Sequence, residues 1–401
     1  MASIVPGPCR HERTTTIAQT LAPAVPALMA ISLILSLPSP AASAAASARS
    51  CGWSLVATPS PGTARNILFA VASAPHGQPW AVGERTSPQN ARFVAPIIEH
   101  WNGTAWGVRV MPGDQSNLLG VYPASRTNVW AVGFFIRELD NTLPVIDHFN
   151  GKIWAAVPSP RIGYGVLSGI AGTSGSNIWA VGRQLGRPTV TLVEHFNGRR
   201  SARVRSPSPV SDYIDFGAIK ILSGHDIWVA GDYKNSHGAF RTLIEHYNGR
   251  AWTREPSPDI GAADNYLSAT AATGPHGLLA VGRAWTGSRF RPLALRWNGR
   301  TWKAHLLPAA GSGNNTLNGL TSGPGDTLWA VGSATDSHGA QRTLTEQYRG
   351  ARWHIVASPN ANGSDNILYA AVTTADQSTW AVGSWTGPSH GKAVTMRRCA
   401  A

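Results

Sequence analysis

The sequence lacks the short motifs that usually accompany catalysis. It has no phosphate-binding glycine loop, no G-x-S-x-G, no H-E-x-x-H and no sialidase-type Asp-box. A reaction, a metal or a cofactor therefore has no positive motif behind it. It also lacks a long apolar run. The best stretch, Ala27–Leu37 ("ALMAISLILSL"), is broken by serines, and a bilayer span wants ~20 apolar residues, so no transmembrane anchor is expected. Charge is scarce, at 14% of 401 residues, and so is cysteine, with three.

Glycine (42), proline (28) and tryptophan (16) are abundant. Turn residues and tryptophans with few charges point to all-β structure built from many short strands. The charge is one-sided: 34 basic against 21 acidic residues, a formal +13. That balance favours anionic partners such as an acidic polysaccharide or an anionic surface.

The N-terminus has the pattern of an export signal. Arg10 and Arg13 precede the apolar stretch, and Ala42-Ser43-Ala44 fits the small-x-small cleavage rule. A signal peptide over 1–44 and a mature domain over 45–401 are expected, with an uncleaved anchor as the alternative. Cleavage removes two arginines, one glutamate and Cys9, which leaves +12, Cys51 and Cys399. A secreted chain enters an oxidising compartment, where two cysteines pair.

The mature part is a repeat. "W-A-V-G" begins at Trp80, Trp130, Trp179, Trp329 and Trp380, with variants at Trp228 and Leu279. The spacings are 50, 49, 49, 51, 50 and 51, which makes seven copies. Each copy reads as four strands, as in "IDFGAIKIL", "IWVAG", "RTLIEHYNG" and "RAWTREPSP". Asn-Gly joins the third and fourth at 102, 150, 197, 248 and 298, a hairpin signal that predicts a type I′ turn with φ > 0 at both residues. Four antiparallel strands repeated every ~50 residues predict a seven-bladed β-propeller. Trp80, Trp130, Trp179, Trp228, Trp329 and Trp380 recur in the second strand. Trp53, Trp106, Trp154, Trp252, Trp302 and Trp353 open the fourth, with Ser201 the departure. A fixed large aromatic in every copy suits packing between blades.

A second strand ending in glycine, a third ending in an aromatic and a fourth opening on x-W resemble the kelch repeat of galactose-oxidase-like propellers. One glycine per repeat (such as Gly83 or Gly231) stands where kelch usually has two. "WAVG…IEHWNG…W…PSP" is also similar to uncharacterised secreted bacterial repeat proteins. The resemblance implies the fold and export, and no particular reaction. The Tyr/His/Cys set of a copper radical oxidase cannot be assembled if both cysteines pair.

The ends interlock. "CGWSLVATPSP" matches a fourth strand and "KAVTMRRC" a third, so the last blade is expected to close with the N-terminal strand. Counting from Gly231 and Gly383 places Cys399 at the position of Tyr247. Counting from Trp252 and Trp53 places Cys51 at that of Arg250. A Cys51–Cys399 disulfide would then stand where other blades have a turn.

The repeated pairs Glu99-His100, Asp147-His148, Glu194-His195 and Glu245-His246 suggest metal or acid–base work. Neighbours on a strand point to opposite faces, and third strands of successive blades diverge. Hydrogen bonding between blades is the expected role. Ligand contact is expected instead on the face built by the 2–3 loops and 4–1 connections. The loops carry Phe134, Arg137, Arg183, Tyr233, Trp285, Arg289, Phe290, Arg291 and Trp385. The connections carry Tyr164, Tyr213, Asp215, Asn265, Tyr266 and Asn315. Aromatics beside arginines and amides suit sugars or polyanions.

The expected function is a secreted, monomeric, non-catalytic binding or scaffold propeller for extracellular carbohydrate or an anionic surface polymer. The alternatives are a glycan- or cell-wall-acting enzyme using Asp215, and a protein–protein scaffold. Nucleic acid is the least expected partner for an exported protein.

Overall fold

The computed structural model describes residues 52–399, except 88–89, 110, 112–114, 139–140, 161, 364 and 388–389; for 87, 90–93, 137–138 and 141 it describes backbone alone. The expected signal segment and Cys51 lie outside the described residues. Among these residues there are 28 strands in seven four-stranded antiparallel sheets, and no helix is long and apolar enough to cross a membrane.

Blade 1 is β2 (Arg65–Ser73), β3 (Pro79–Ser87), β4 (Asn90–Trp101) and β5 (Trp106–Val108). Blade 2 runs from β6 (Ser116–Ser125) to β9 (Trp154–Ala156), and blade 3 from β10 (Gly165–Ser174) to β13 (Ser201–Arg203). Blade 4 is β14 (Ile214–Ser223), β15 (Asp226–Lys234), β16 (Phe240–Tyr247) and β17 (Trp252–Glu255). Blade 5 runs from β18 (Asn265–Ala272) to β21 (Trp302–Leu306), and blade 6 from β22 (Asn315–Ser322) to β25 (Arg352–Val356). Blade 7 is β26 (Asp365–Thr373), β27 (Thr379–Thr386), β28 (Gly391–Arg398) and the N-terminal β1 (Trp53–Val56). The first strands of successive blades touch around the axis, and β2 against β26 closes the ring.

The second strands are apolar on both faces because each blade is covered on both sides. The core lies between blades, as where Trp228 and Ile244 of blade 4 pack with Leu278, Leu293 and Trp302 of blade 5. The second-strand tryptophan of one blade meets the fourth-strand tryptophan of the next. Trp179–Trp252 and Trp228–Trp302 lie 5.7 Å apart, and Trp380–Trp106 5.3 Å. Where Ser201 replaces the tryptophan, Trp130 keeps only its contact with the third-strand aromatic of the next blade, Phe196, at 4.7 Å, which Trp179 also makes with Tyr247.

Every first strand carries a β-bulge, as between Phe216 and Ala218 or Leu68 and Ala70. The repeat glycine sits directly opposite. A Cβ on Gly231 would lie 1.9 Å from the Asp215 carbonyl oxygen, so the marker glycine serves close approach of two backbones at the bulge.

Two expectations are corrected. The Asn-Gly turns are not type I′. Only the glycine has positive φ (Gly103 105°, Gly249 90°), and four residues, 248–251, separate the pair Tyr247 and Trp252. The asparagine side chain builds the turn: Asn248 Oδ1 accepts from the N–H groups of Arg250 (3.0 Å) and Ala251 (3.1 Å), so the asparagine itself needs no left-handed backbone. Positive φ at both central residues occurs instead at Gly350 and Ala351.

The second correction concerns Cys399. Thr379 pairs with Arg398 as Ile227 pairs with Tyr247, which puts Arg398 at the Tyr247 position and Cys399 at that of Asn248. The 2–3 loop of blade 7 is one residue shorter than that of blade 4 (Gly383 opposite Val394, Gly231 opposite Leu243), which shifts the count by one. Trp53 pairs with Arg398, so the strands meet in register one step before Cys399. Cys399 is half-buried and unpaired among the described residues.

Candidate functional site

The bulges place Phe69, Leu119, Ser168, Gly217, Ser268, Asn318 and Tyr369 around the axis, where they line a channel of about 480 Å³. Phe69 and Tyr369 are large and in edge contact (5.4 Å), whereas blades 3 to 5 present Ser168, Gly217 and Ser268. The small side of the channel continues upward into a polar rim.

Strand starts and strand ends meet on the upper face. Lys234 N–H donates to the Tyr213 carbonyl (3.0 Å) and Trp285 N–H to that of Asp264 (2.8 Å). The 4–1 connections and 2–3 loops therefore share this face, as expected. At the rim, Arg183 Nη1 holds Asp215 Oδ1 at 3.0 Å. Asp215 is the Cα partner of Asp232, which is buried with Oδ2 unpartnered among the described residues. Burial, then the nearby Asp215, push the Asp232 carboxyl well above its ordinary range, against the pull of Arg283 and Arg183. That is the expected outcome for an acid removed from water beside a second acid.

An aromatic strip runs beside this cluster. Tyr213 meets Phe240 (5.4 Å), Phe240 meets Tyr266 (4.8 Å), Tyr266 meets Phe290 (5.9 Å) and Phe290 meets Trp285 (5.0 Å). Arg283 lies 4.2 Å over the Tyr266 ring and 5.2 Å from that of Phe290, and Arg183 lies 5.5 Å from Tyr213. Burial and Asp264 raise the Tyr266 hydroxyl to about 12, so it stays a hydrogen-bond donor across the physiological range. Rings, guanidinium groups and carboxyls side by side offer both stacking and two-way hydrogen bonding.

The structure thus brings together Tyr213, Tyr266, Trp285, Phe290, Arg183 and Asp215 from the sequence reading. It separates the rest. Tyr233 alternates away from Asp232 and packs toward blade 3, with Arg254 4.6 Å over its ring. Arg289 donates to the Ser312 carbonyl (2.7 Å) and pins the 5–6 connection. Trp385 is held in blade 7 against Gly363 and below Lys392. Phe134 stands in blade 2 at the place that Arg183 takes in blade 3. Tyr164 is exposed, with its carbonyl bonded to Leu185 N–H. The Arg137 side chain lies outside the described residues. Asn265 and Asn315 are structural: both are fully buried and clamp the connection before their own strand, as in Asn265 Nδ2 to the Ala263 carbonyl (2.8 Å).

Asp232, Arg283 and Phe240 were missed. The signal existed: the residue after the repeat glycine is Arg183, Asp232 and Arg283 in three successive blades. Alternating charge there marks neighbours across two blade boundaries.

The Glu-His pairs separate as alternation requires. Thr58 Oγ1 donates to Glu99 Oε2 (2.5 Å) and Ser159 Oγ to Glu194 Oε1 (2.7 Å), each from the preceding blade. Each histidine stacks on the tryptophan of its own blade, as in Trp228–His246 at 4.0 Å.

No family model and no curated protein matches this sequence. Solved structures do share its fold. YCF48 from Cyanidioschyzon merolae is similar with a TM-score of 0.52 and 13% identity, over 87% of this chain and 98% of that one. YCF48 bound to D1 peptide gives 0.53 and 13%, over 87% and 96%. An ulvan lyase, a polysaccharide lyase bound to -[GlcA(1-4)Rha3S]-, gives 0.55 and 11%, over 81% and 94%. At these identities the likeness is one of fold.

Proposed function

We propose that this protein is a secreted binding propeller that takes carbohydrate at the upper rim of blades 3 to 5. The observation that carries this reading is the strip Tyr213–Phe240–Tyr266–Phe290–Trp285 beside the Arg183–Asp215 pair. Half-buried rings with the exposed Tyr213 at one end suit the apolar faces of sugars, and a paired arginine and aspartate suit their hydroxyls. Propellers of this fold accommodate such partners, since the ulvan lyase holds a saccharide and YCF48 a peptide. Export rests on the 1–44 segment: the mass of protein recovered from the medium is expected to match a chain starting near Ala45.

The test is a glycan array with the full secreted chain, repeated with Tyr266→Ala. Loss of a saccharide signal in the variant supports the site. An unchanged signal removes it, and a partner that is protein alone would favour a scaffold.

The Asp215–Asp232 pair is the feature that favours an enzyme. Asp232 is 4% exposed, which sets it behind Asp215 and out of reach of a substrate. Binding without turnover is therefore expected, and release of reducing ends or unsaturated sugars from a bound glycan would reverse that conclusion.

A further inference from the structure

A second cavity of about 570 Å³ lies on the opposite, hairpin-bearing face between blades 1 and 2. Trp80 and His100 of blade 1 and Phe149 and Trp154 of blade 2 wall it, and Arg109, Arg126 and Lys152 reach it. Among the described residues, none of these three cations has a carboxylate partner, and no carboxylate lines the cavity.

This gap differs from its counterparts at three points. In blades 2 to 4 the histidine Nε2 is held by the residue two before the tryptophan: Asn128 (3.0 Å), Asn177 (2.7 Å) and Asp226 (2.9 Å). Blade 1 has Gln78 there, and His100 Nδ1 is buried without a partner among the described residues. Opposite that histidine stand Ala155, Ala202 and Thr253 in blades 2 to 4, but Gly107 in blade 1. A Cβ on Gly107 would meet only the His100 carbonyl, at 3.9 Å, so the cleft is open along its outer edge. Arg126 occupies a turn position that is glycine in blades 3 and 4 (Gly175, Gly224).

Three like charges facing one cleft repel each other, and an anion among them removes that repulsion. Beneath the cations Trp80, Phe149 and Trp154 pack together, with both tryptophans buried, and give a bound ring an apolar floor. The geometry points to this cleft as a binding site for an oxyanion, sulfate or carboxylate, borne on a saccharide ring. It stands independently of the upper rim and lies on the other face.

The test is calorimetric titration of the full secreted chain with a sulfated disaccharide, a uronate disaccharide, a neutral disaccharide and inorganic sulfate. Arg109 and Arg126 are exposed, so Arg109→Ala with Arg126→Ala should fold normally and weaken binding about tenfold or more. The charge-matched control is Arg250→Ala with Arg300→Ala, both exposed hairpin arginines, and it should bind as the parent does. Equal loss in both pairs would mean diffuse attraction to a basic surface and would overturn the site. Inorganic sulfate binding as tightly as the disaccharide would overturn its saccharide part. A second readout is His100 by NMR. Burial, Arg109 and Arg126 lower its imidazole to about 4; a bound anion should raise it, and no movement at saturating disaccharide would also overturn the site. In the Tyr266→Ala background, where upper-rim binding is lost, the Arg109→Ala and Arg126→Ala pair should still weaken the remaining binding and the His100 shift should persist.

Discussion

Asp215 and Asp232 oppose each other across the first two strands of blade 4, and only Asp215 reaches solvent. The pair divides its roles by depth. Asp215→Asn loosens Arg183 at the rim and should weaken carbohydrate binding several-fold. Asp232→Asn replaces a carboxyl whose proton affinity burial raises well above the ordinary range, and it leaves the rim contacts of Asp215 in place, so binding should persist. Thermal stability should rise relative to the parent as pH increases, because only the parent has a carboxyl there that binds its proton more tightly folded than unfolded. Melting curves at pH 5 and pH 8 check this, and a variant that loses more than the parent at pH 8 would contradict it.

The same sign applies to the buried third-strand acids. Burial raises Glu346 and Glu245 to about 8. The folded state keeps these protons after the unfolded chain has lost them, so stability falls as pH rises from about 4.5. His100 works in the opposite sense, and its contribution is lost only below about 6.5. The uncomplicated window is pH 6.5 to 8. There Tm should fall, by up to about 1.4 kcal/mol of stability per pH unit for each such acid. Glu346→Gln should flatten the slope, and a slope equal to the parent's would show that Glu346 is not its source.

Binding and stability should separate among the upper-face residues. Tyr213→Ala, Tyr266→Ala and Arg283→Ala are expected to weaken carbohydrate binding about tenfold each, with little change in Tm. Arg289→Ala and Trp385→Ala should lower Tm and leave affinity intact, since those side chains hold the protein's own backbone. Parallel calorimetry and melting curves distinguish the two groups.

Ring closure depends on four residues of strand β1. Trp53 is buried and meets Trp329 of blade 6 in edge contact at 5.5 Å. Trp53→Ala should cost about 3–5 kcal/mol and make the N-terminal segment the first site of proteolysis. We further propose that Cys399 pairs with Cys51. Non-reducing peptide mapping should find them linked, and Cys399→Ser should cost up to about 4–5 kcal/mol. Two alkylated thiols in the secreted protein would refute the clasp, while Trp53→Ala would still report on closure.

Architecture was the legible part. The W-A-V-G period, the tryptophans and the swapped N-terminal strand are properties of a one-dimensional repeat, and each blade satisfies its hydrogen bonds and period-two packing locally. The candidate rim was half legible. Tyr213, Tyr266, Arg183 and Asp215 stood out as polar or aromatic residues at loop positions. Trp285 and Trp385 looked equivalent in sequence, yet one joins an aromatic strip and the other presses on Gly363.

The sequence by itself determined the number of blades, the order of strands and the partner of each blade, because a repeat's spacing dictates which strand pairs with which. Only the tertiary structure decided which residues meet. The bulges turn Ser168, Gly217 and Ser268 toward the axis, and Asp232 comes to lie behind Asp215. Gly107 leaves one gap between blades open, and Arg109, Arg126 and Lys152 make it basic. Those outcomes depend on contacts between adjacent strands and between neighbouring blades, set by twist, bulge and neighbouring side-chain volume, which the repeat spacing alone does not encode.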